Sequence, residues 1–231
     1  MNYDTIEVDK FSALASSWWD KNGPCAPLHI LNPCRLQFIQ QNSVIANKNI
    51  LDIGCGAGIL TESLAHNNAK VTGIDASAAV IAAAQAHAAI ANLDIIYKNI
   101  TIEEFLTTDT TQFDIITCME LLEHVPDPRK LIADCAKLLK PGGKIFLSTI
   151  NKTLRAYVLA IVGAEYVLNI VPKQTHDYNK FIRPSELADM LQYSSLKLKL
   201  LGGLQYKPFT KTARLSSDVR INYLAYAIKE N

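Results

Sequence analysis

The chain carries no excess of charge of either sign: 23 Lys and Arg stand against 22 Asp and Glu, a formal net charge of +1, with no run of like charges. Nucleic-acid binding needs a basic face or tail, so nucleic acid is not an expected partner. Cysteine is sparse and unpaired in pattern. Cys25, Cys34, Cys55, Cys118 and Cys135 form no C-x-x-C pair, and their odd number argues against a disulfide framework, which points to reduced thiols and a cytoplasmic protein. Long apolar runs are also missing. The opening "MNYDTIEVDKF" puts Asp4, Glu7 and Asp9 where a secretory signal needs apolar residues. The most apolar stretch, 154–171, is interrupted by Arg155, Glu165 and Asn169, short of the roughly 20 apolar residues that span a bilayer. Two readings of it stay open: a helix packed on the body of the protein, or one lying on anionic lipid at the inner face of the membrane, flanked by Arg155, Lys173 and Lys180.

What is present is an ordinary globular composition, 231 residues that are 49% hydrophobic and 19% charged. Short apolar runs alternate with longer helical patterns. "NILDIG", "AKVTGID", "LDIIYKN", "FDIITCM" and "GKIFLSTI" read as strands; "GILTESLAHNN", "SAAVIAAAQAHAAIA", "IEEFL" and "DPRKLIADCAKLLK" read as helices between them. Such alternation predicts right-handed βαβ units and a mostly parallel, doubly wound α/β sheet of Rossmann-like type. Ser77 and Asp127 are expected helix N-caps, with Pro128 in the first turn and "KPGG" at Lys140 to Gly143 as a stop. Two further strands near the C-terminus, without a helix between them, are expected to close the sheet as an antiparallel pair. The chain divides into an N-terminal helical cap (1–47), a core (48–150), a helical insertion or lid (151–194) and closing strands (195–231).

The first strand runs into "GCGAG", which places Gly54, Gly56 and Gly58 on the first strand-to-helix turn. In open α/β sheets that turn borders the ligand site. The spacing is G-x-G-x-G, whereas a dinucleotide fingerprint is G-x-G-x-x-G, and Asp52 stands where a pyrophosphate would meet a negative charge. An amine-bearing ligand without phosphate fits better. Asp75 ends the second strand, where a carboxylate accepts from ribose hydroxyls. S-adenosylmethionine combines these features.

The glycine turn, "FDIITCMELLEHVPDP" and "LLKPGGKIFLST" together resemble the class I S-adenosylmethionine-dependent methyltransferases, which implies a seven-stranded sheet with an antiparallel last strand. That resemblance places Gly54 under the methionine part of the cofactor, Asp75 on the ribose and Met119 along the adenine. "PLHILNPCR", "CMELLEHVPDP", "VGAEYVLNIVPKQTHDYNKFIRPSEL" and Asn222-Tyr223 are similar, over nearly the whole chain, to the bacterial ubiquinone biosynthesis O-methyltransferase family. It implies a cytoplasmic enzyme methylating ring hydroxyls of polyprenylated catechol (2-polyprenyl-6-hydroxyphenol) and demethylubiquinol substrates, in contact with other quinone-biosynthesis proteins, with Arg35 on the cofactor carboxylate. "GPCAPLH" departs from the expected pattern at Cys25 and Ala26, where bulkier residues are expected.

Glu120, Glu123 and His124 have i, i+3, i+4 spacing, which on a helix would put them on one face. Three functions are open to them: ligands for Mg²⁺ that acidify a bound catechol oxygen, a metal-free site with His124 as base, or a structural turn. His29 is expected to be a structural residue at a helix entry, and His66 and His87 sit on ordinary helix patterns with no assigned role; Trp18 and Trp19 are expected to pack the N-terminal helix, the alternative being to flank the cofactor, and His176 either closes over substrate or makes a loop hydrogen bond. An NAD-dependent oxidoreductase and a non-catalytic cofactor-binding scaffold are the competing functions.

Overall fold

The computed structural model describes residues 2–158 and 177–230. Its elements are α1 (Thr5–Ser12), α2 (Ala26–Asn42), β1 (Asn49–Ile53), α3 (Ile59–His66), β2 (Lys70–Asp75), α4 (Ala78–Ile90), β3 (Ile95–Asn99) and α5 (Ile102–Thr108). There follow β4 (Phe113–Met119), α6 (Pro128–Leu138), β5 (Leu139–Ile150), α7 (Leu154–Ala156), α8 (Pro184–Tyr193), β6 (Leu196–Lys207), β7 (Thr212–Ser216) and β8 (Asn222–Lys229). The N-caps behave as expected: Ser77 accepts from the Val80 amide at 3.3 Å, and Asp127 from Lys130 at 3.0 Å with Pro128 opening the helix.

The strands form one sheet in the order β3-β2-β1-β4-β5-β8-β6-β7, parallel from β3 to β5. The doubly wound reading is therefore right, and the count of seven is corrected to eight among the described residues. The segment between the two expected C-terminal strands contains β7, which pairs antiparallel with Gly203–Lys207. β8 inserts between β5 and β6, antiparallel to both. Leu224, Ala225 and Ala227 of β8 are completely buried, and a strand apolar on both faces needs neighbours on both edges.

Successive residues of a strand point to opposite faces, and the core follows that rule. Ile50, Ile115 and Phe146 pack beneath Phe38 and Ile39 of α2 and Leu60 and Leu64 of α3. Their neighbours Leu51, Ile116 and Leu147 pack on the other side against α5, α6 and α8. Full burial of each such side chain stabilises the fold by about 1.5–3 kcal/mol. The parallel strands all end on the edge that carries the glycine turn, the end of β2 and the end of β4. Most of the apolar stretch 154–171, together with Lys173 and His176, lies outside the described residues. Among those described, no helix is long and apolar enough to cross a membrane.

Candidate active site

The turn after β1 takes a backbone path open to few residues other than glycine: Gly54, Gly56 and Gly58 have φ of 66°, 56° and 90°. At Gly56 space matters as well, since a Cβ there would lie 2.7 Å from the Trp18 ring. The N-terminal segment grips this turn. Trp18 is buried against Ala57 and Ile59, and Trp19 Nε1 donates to the Ala57 carbonyl at 3.0 Å. Trp19 also stacks on His87, ring centroids 3.3 Å apart, while His87 Nδ1 lies 2.8 Å from the buried Glu62 carboxylate. His87 thus belongs to the support of the turn. His29 faces the Trp18 carbonyl at 2.9 Å, consistent with a packing role.

Asp52, one residue before the end of β1, is buried. Its Oδ1 accepts from Thr117 at 2.6 Å and its Oδ2 from Thr61 at 2.7 Å, so one carboxylate joins β1, β4 and α3. Burial pushes its pKa up to about 6 despite both bonds. The carboxylate expected beside a cationic ligand also clamps the base of the turn, within reach of the charges of Arg35 and Asp75. Asp75 stays at the edge, its Oδ2 accepting from the Gly56 amide at 3.0 Å and Oδ1 from Ser77 at 2.9 Å. Burial raises its pKa against those amides. Each oxygen keeps a further lone pair for a hydroxyl donor.

Arg35 lies buried in α2 with its guanidinium 3.4 Å from Glu120 Oε1. Its Nε is buried and has no hydrogen-bond partner among the described residues. A buried guanidinium with a donor to spare suits a ligand carboxylate. Met119, at the end of β4, packs in the apolar layer under α2. Cys25 is buried just before α2, with burial raising its thiol pKa to about 11.

The expected helical face of Glu120, Glu123 and His124 does not form. Glu120 is left-handed, with φ of 50°, and only a 3-10 turn, Leu122–His124, follows it. Each side chain takes its own partner: Ser148 Oγ donates to Glu120 at 2.7 Å, Thr149 Oγ1 to Glu123 at 2.7 Å, and His124 Nδ1 lies 2.8 Å from Glu7 Oε2. Among the described residues no group of three His, Cys, Asp or Glu side chains is placed to hold a metal ion. The donors as arranged do not fit Mg²⁺, and the spacing argument fails because it assumed a helix.

They do form an electrostatic cluster. Burial raises the pKa of Glu123, and the charge of Glu120 adds to the effect. At His124 burial opposes the imidazolium, but the bond to Glu7 and the charges of Glu123, Glu7 and Glu120 outweigh it and lift the pKa above its ordinary value. The hydrogen bond from His124 leads the causes that hold Glu7 down at about 2. Glu7, Ser148, Thr149, Thr61 and Thr117 carry no motif; their part here comes from long-range contacts.

A methyltransferase domain model matches residues 33–198. A ubiquinone biosynthesis O-methyltransferase of Nitrosococcus oceani is 48% identical over 230 residues, covering 100% of this chain and 98% of that protein. One from Coxiella burnetii is 51% identical over 224 residues, covering 97% and 95%. Among solved structures, a magnesium protoporphyrin IX methyltransferase from Synechocystis with bound S-adenosylhomocysteine superimposes with a TM-score of 0.73 at 17% identity, over 98% of this chain and 99% of that one. An N-methyltransferase from Bradyrhizobium japonicum, also with S-adenosylhomocysteine, gives 0.66 at 20% identity, over 98% of each chain. These two likenesses show the shared fold.

Proposed function

The chain belongs to the ubiquinone biosynthesis O-methyltransferase family, and from that membership we propose that it transfers a methyl group from S-adenosylmethionine to a ring hydroxyl of polyprenylated catechol and demethylubiquinol substrates. The observation that carries this reading is near-half identity over the full length of curated relatives.

The residues at the strand ends suit the cofactor. The left-handed glycine turn lets a ligand approach the backbone, Arg35 offers its spare donor to the carboxylate, and Asp75 accepts from the ribose hydroxyls. When bound, S-adenosylmethionine supplies a methyl group already activated by its sulfonium. The protein's remaining task is to align the acceptor oxygen and remove its proton, since a phenol with a pKa of about 10 is mostly protonated at neutral pH. His124 takes that proton as general base. Glu123, held by Thr149 beneath it, favours the imidazolium that forms, and Glu120 braces Arg35. No step passes through a metal ion.

A polyprenyl tail belongs in a bilayer. Approach to anionic lipid at the inner face of the membrane, from the cytoplasm, is supported by the exposed Leu154 and Val158 beside Arg155. Contact with other quinone-biosynthesis proteins is part of the same reading.

The test is product mass spectrometry after incubating the protein with methyl-labelled S-adenosylmethionine and a short-chain prenyl catechol. The expected product carries one labelled methyl on oxygen. Cofactor binding without any transfer to phenol overturns the enzymatic reading in favour of a scaffold.

A further inference from the structure

α1 has no fully buried residue, yet it places a carboxylate on the proposed base. Glu7 Oε2 lies 2.8 Å from His124 Nδ1, and Glu7 Oε1 receives Lys10 Nζ at 2.8 Å. The Glu7 and His124 side chains are only 13% and 10% exposed. One turn further along the same helix, Phe11 meets the imidazole edge-on, with centroids 5.1 Å apart and planes at 89°. One helix therefore fixes both the edge and the tilt of the ring. The helix has other means of docking: Ser12 Oγ meets Ser77 Oγ at 2.7 Å, and Asn2 ahead of it bonds Glu103 and the Asp127 carbonyl at 2.8 and 2.6 Å. A half-buried acid is not needed merely to attach it.

We propose that Glu7 is a positioning residue for methyl transfer: by accepting from Nδ1 it holds His124 in the tautomer whose basic nitrogen is Nε2, which makes α1 a working part of the active site. Among the described residues, the carboxylates of Glu120 and Glu123 and the ammonium of Lys10 add to the charged surroundings of this pair. A neutral imidazole carries one proton, and a carboxylate acceptor at one nitrogen decides which nitrogen keeps it. The inference rests on His124 as the base.

Three variants, with His124→Gln as a fourth for the base itself, separate the possibilities. Glu7→Leu removes the acceptor, Glu7→Gln leaves a neutral one, and Ser12→Ala weakens docking of α1 without touching the ring. The expected result is a kcat at least about tenfold lower in Glu7→Leu with KM and cofactor Kd unchanged, partial recovery in Glu7→Gln, and wild-type turnover in Ser12→Ala. Nitrogen-15 spectra of His124, recorded above the titration of the ring, should show Nε2 unprotonated in the wild type and a tautomer mixture in Glu7→Leu. Unchanged kcat or an unchanged tautomer in Glu7→Leu overturns the proposal, as does an equal loss in Ser12→Ala. Full turnover in His124→Gln overturns the base reading itself, whereas loss in His124→Gln with full activity in Glu7→Leu sinks only the role of Glu7.

Discussion

Thr117 donates to Asp52 Oδ1 at 2.6 Å, a buried bond between neighbouring parallel strands whose residues lie 65 positions apart. Asp52 and Thr117 are also register partners in the β1–β4 pairing, so the bond reinforces the ladder under the glycine turn. The carboxyl is costly to ionise there, and that cost has a sign. A group whose pKa rises from 3.8 to about 6 on folding contributes stability that is fully present below 3.8 and is lost as pH rises through about 6. Asp52→Asn cannot ionise. Its urea midpoints should vary less between these limits, the wild type losing on the order of 3 kcal/mol at most across them. A wild-type profile as flat as the variant's would show that Asp52 is not buried in this way.

Asp75→Ala should weaken S-adenosylmethionine binding at least about tenfold, a cost of about 1.4 kcal/mol. Because Asp75 also holds the Gly56 amide, Asp75→Asn, which can still accept there, serves as the control for the shape of the turn. Calorimetry on both variants decides, and an unchanged affinity in Asp75→Ala removes the ribose assignment.

Arg35→Met leaves Glu120 unbraced and takes the spare donor away. Affinity for S-adenosylmethionine should fall while affinity for methylthioadenosine, which lacks the carboxylate, stays the same. Parallel losses for both ligands would mean that Arg35 shapes the pocket without reading the carboxylate.

Chelation provides the metal test. Holding Mg²⁺ would require Glu120, Glu123 and His124 to give up Ser148, Thr149 and Glu7. The arrangement leads us to expect equal turnover with and without EDTA. A loss in EDTA that added Mg²⁺ restores would show that the three side chains rearrange around an ion.

Leu154 and Val158, at the start of the apolar stretch, are exposed. Salt-sensitive sedimentation with anionic liposomes is expected, weakened by Leu154→Glu and Val158→Glu in protein that still binds cofactor. Wild-type protein remaining in the supernatant at low salt counts against the lipid approach.

The chain alone determined what depends on neighbours in sequence. Strand and helix alternation announces a doubly wound sheet because hydrophobic period and turn chemistry are local, and the glycines announce their turn because positive φ excludes most side chains. Tertiary structure decided the rest. The place of β8 between β5 and β6, and the existence of β7, depend on which edge a twice-buried strand can cover. Spacing suggested that Glu120, Glu123 and His124 share a helical face, but Glu120 leaves β4 in a left-handed conformation and the helix never starts. Glu7 was invisible for a related reason: it meets His124 across 117 positions, and only packing of α1 against the strand ends brings an exposed-looking acid onto a buried ring. Local pattern carries backbone conformation; it carries no record of which distant side chain will fill a hydrogen bond.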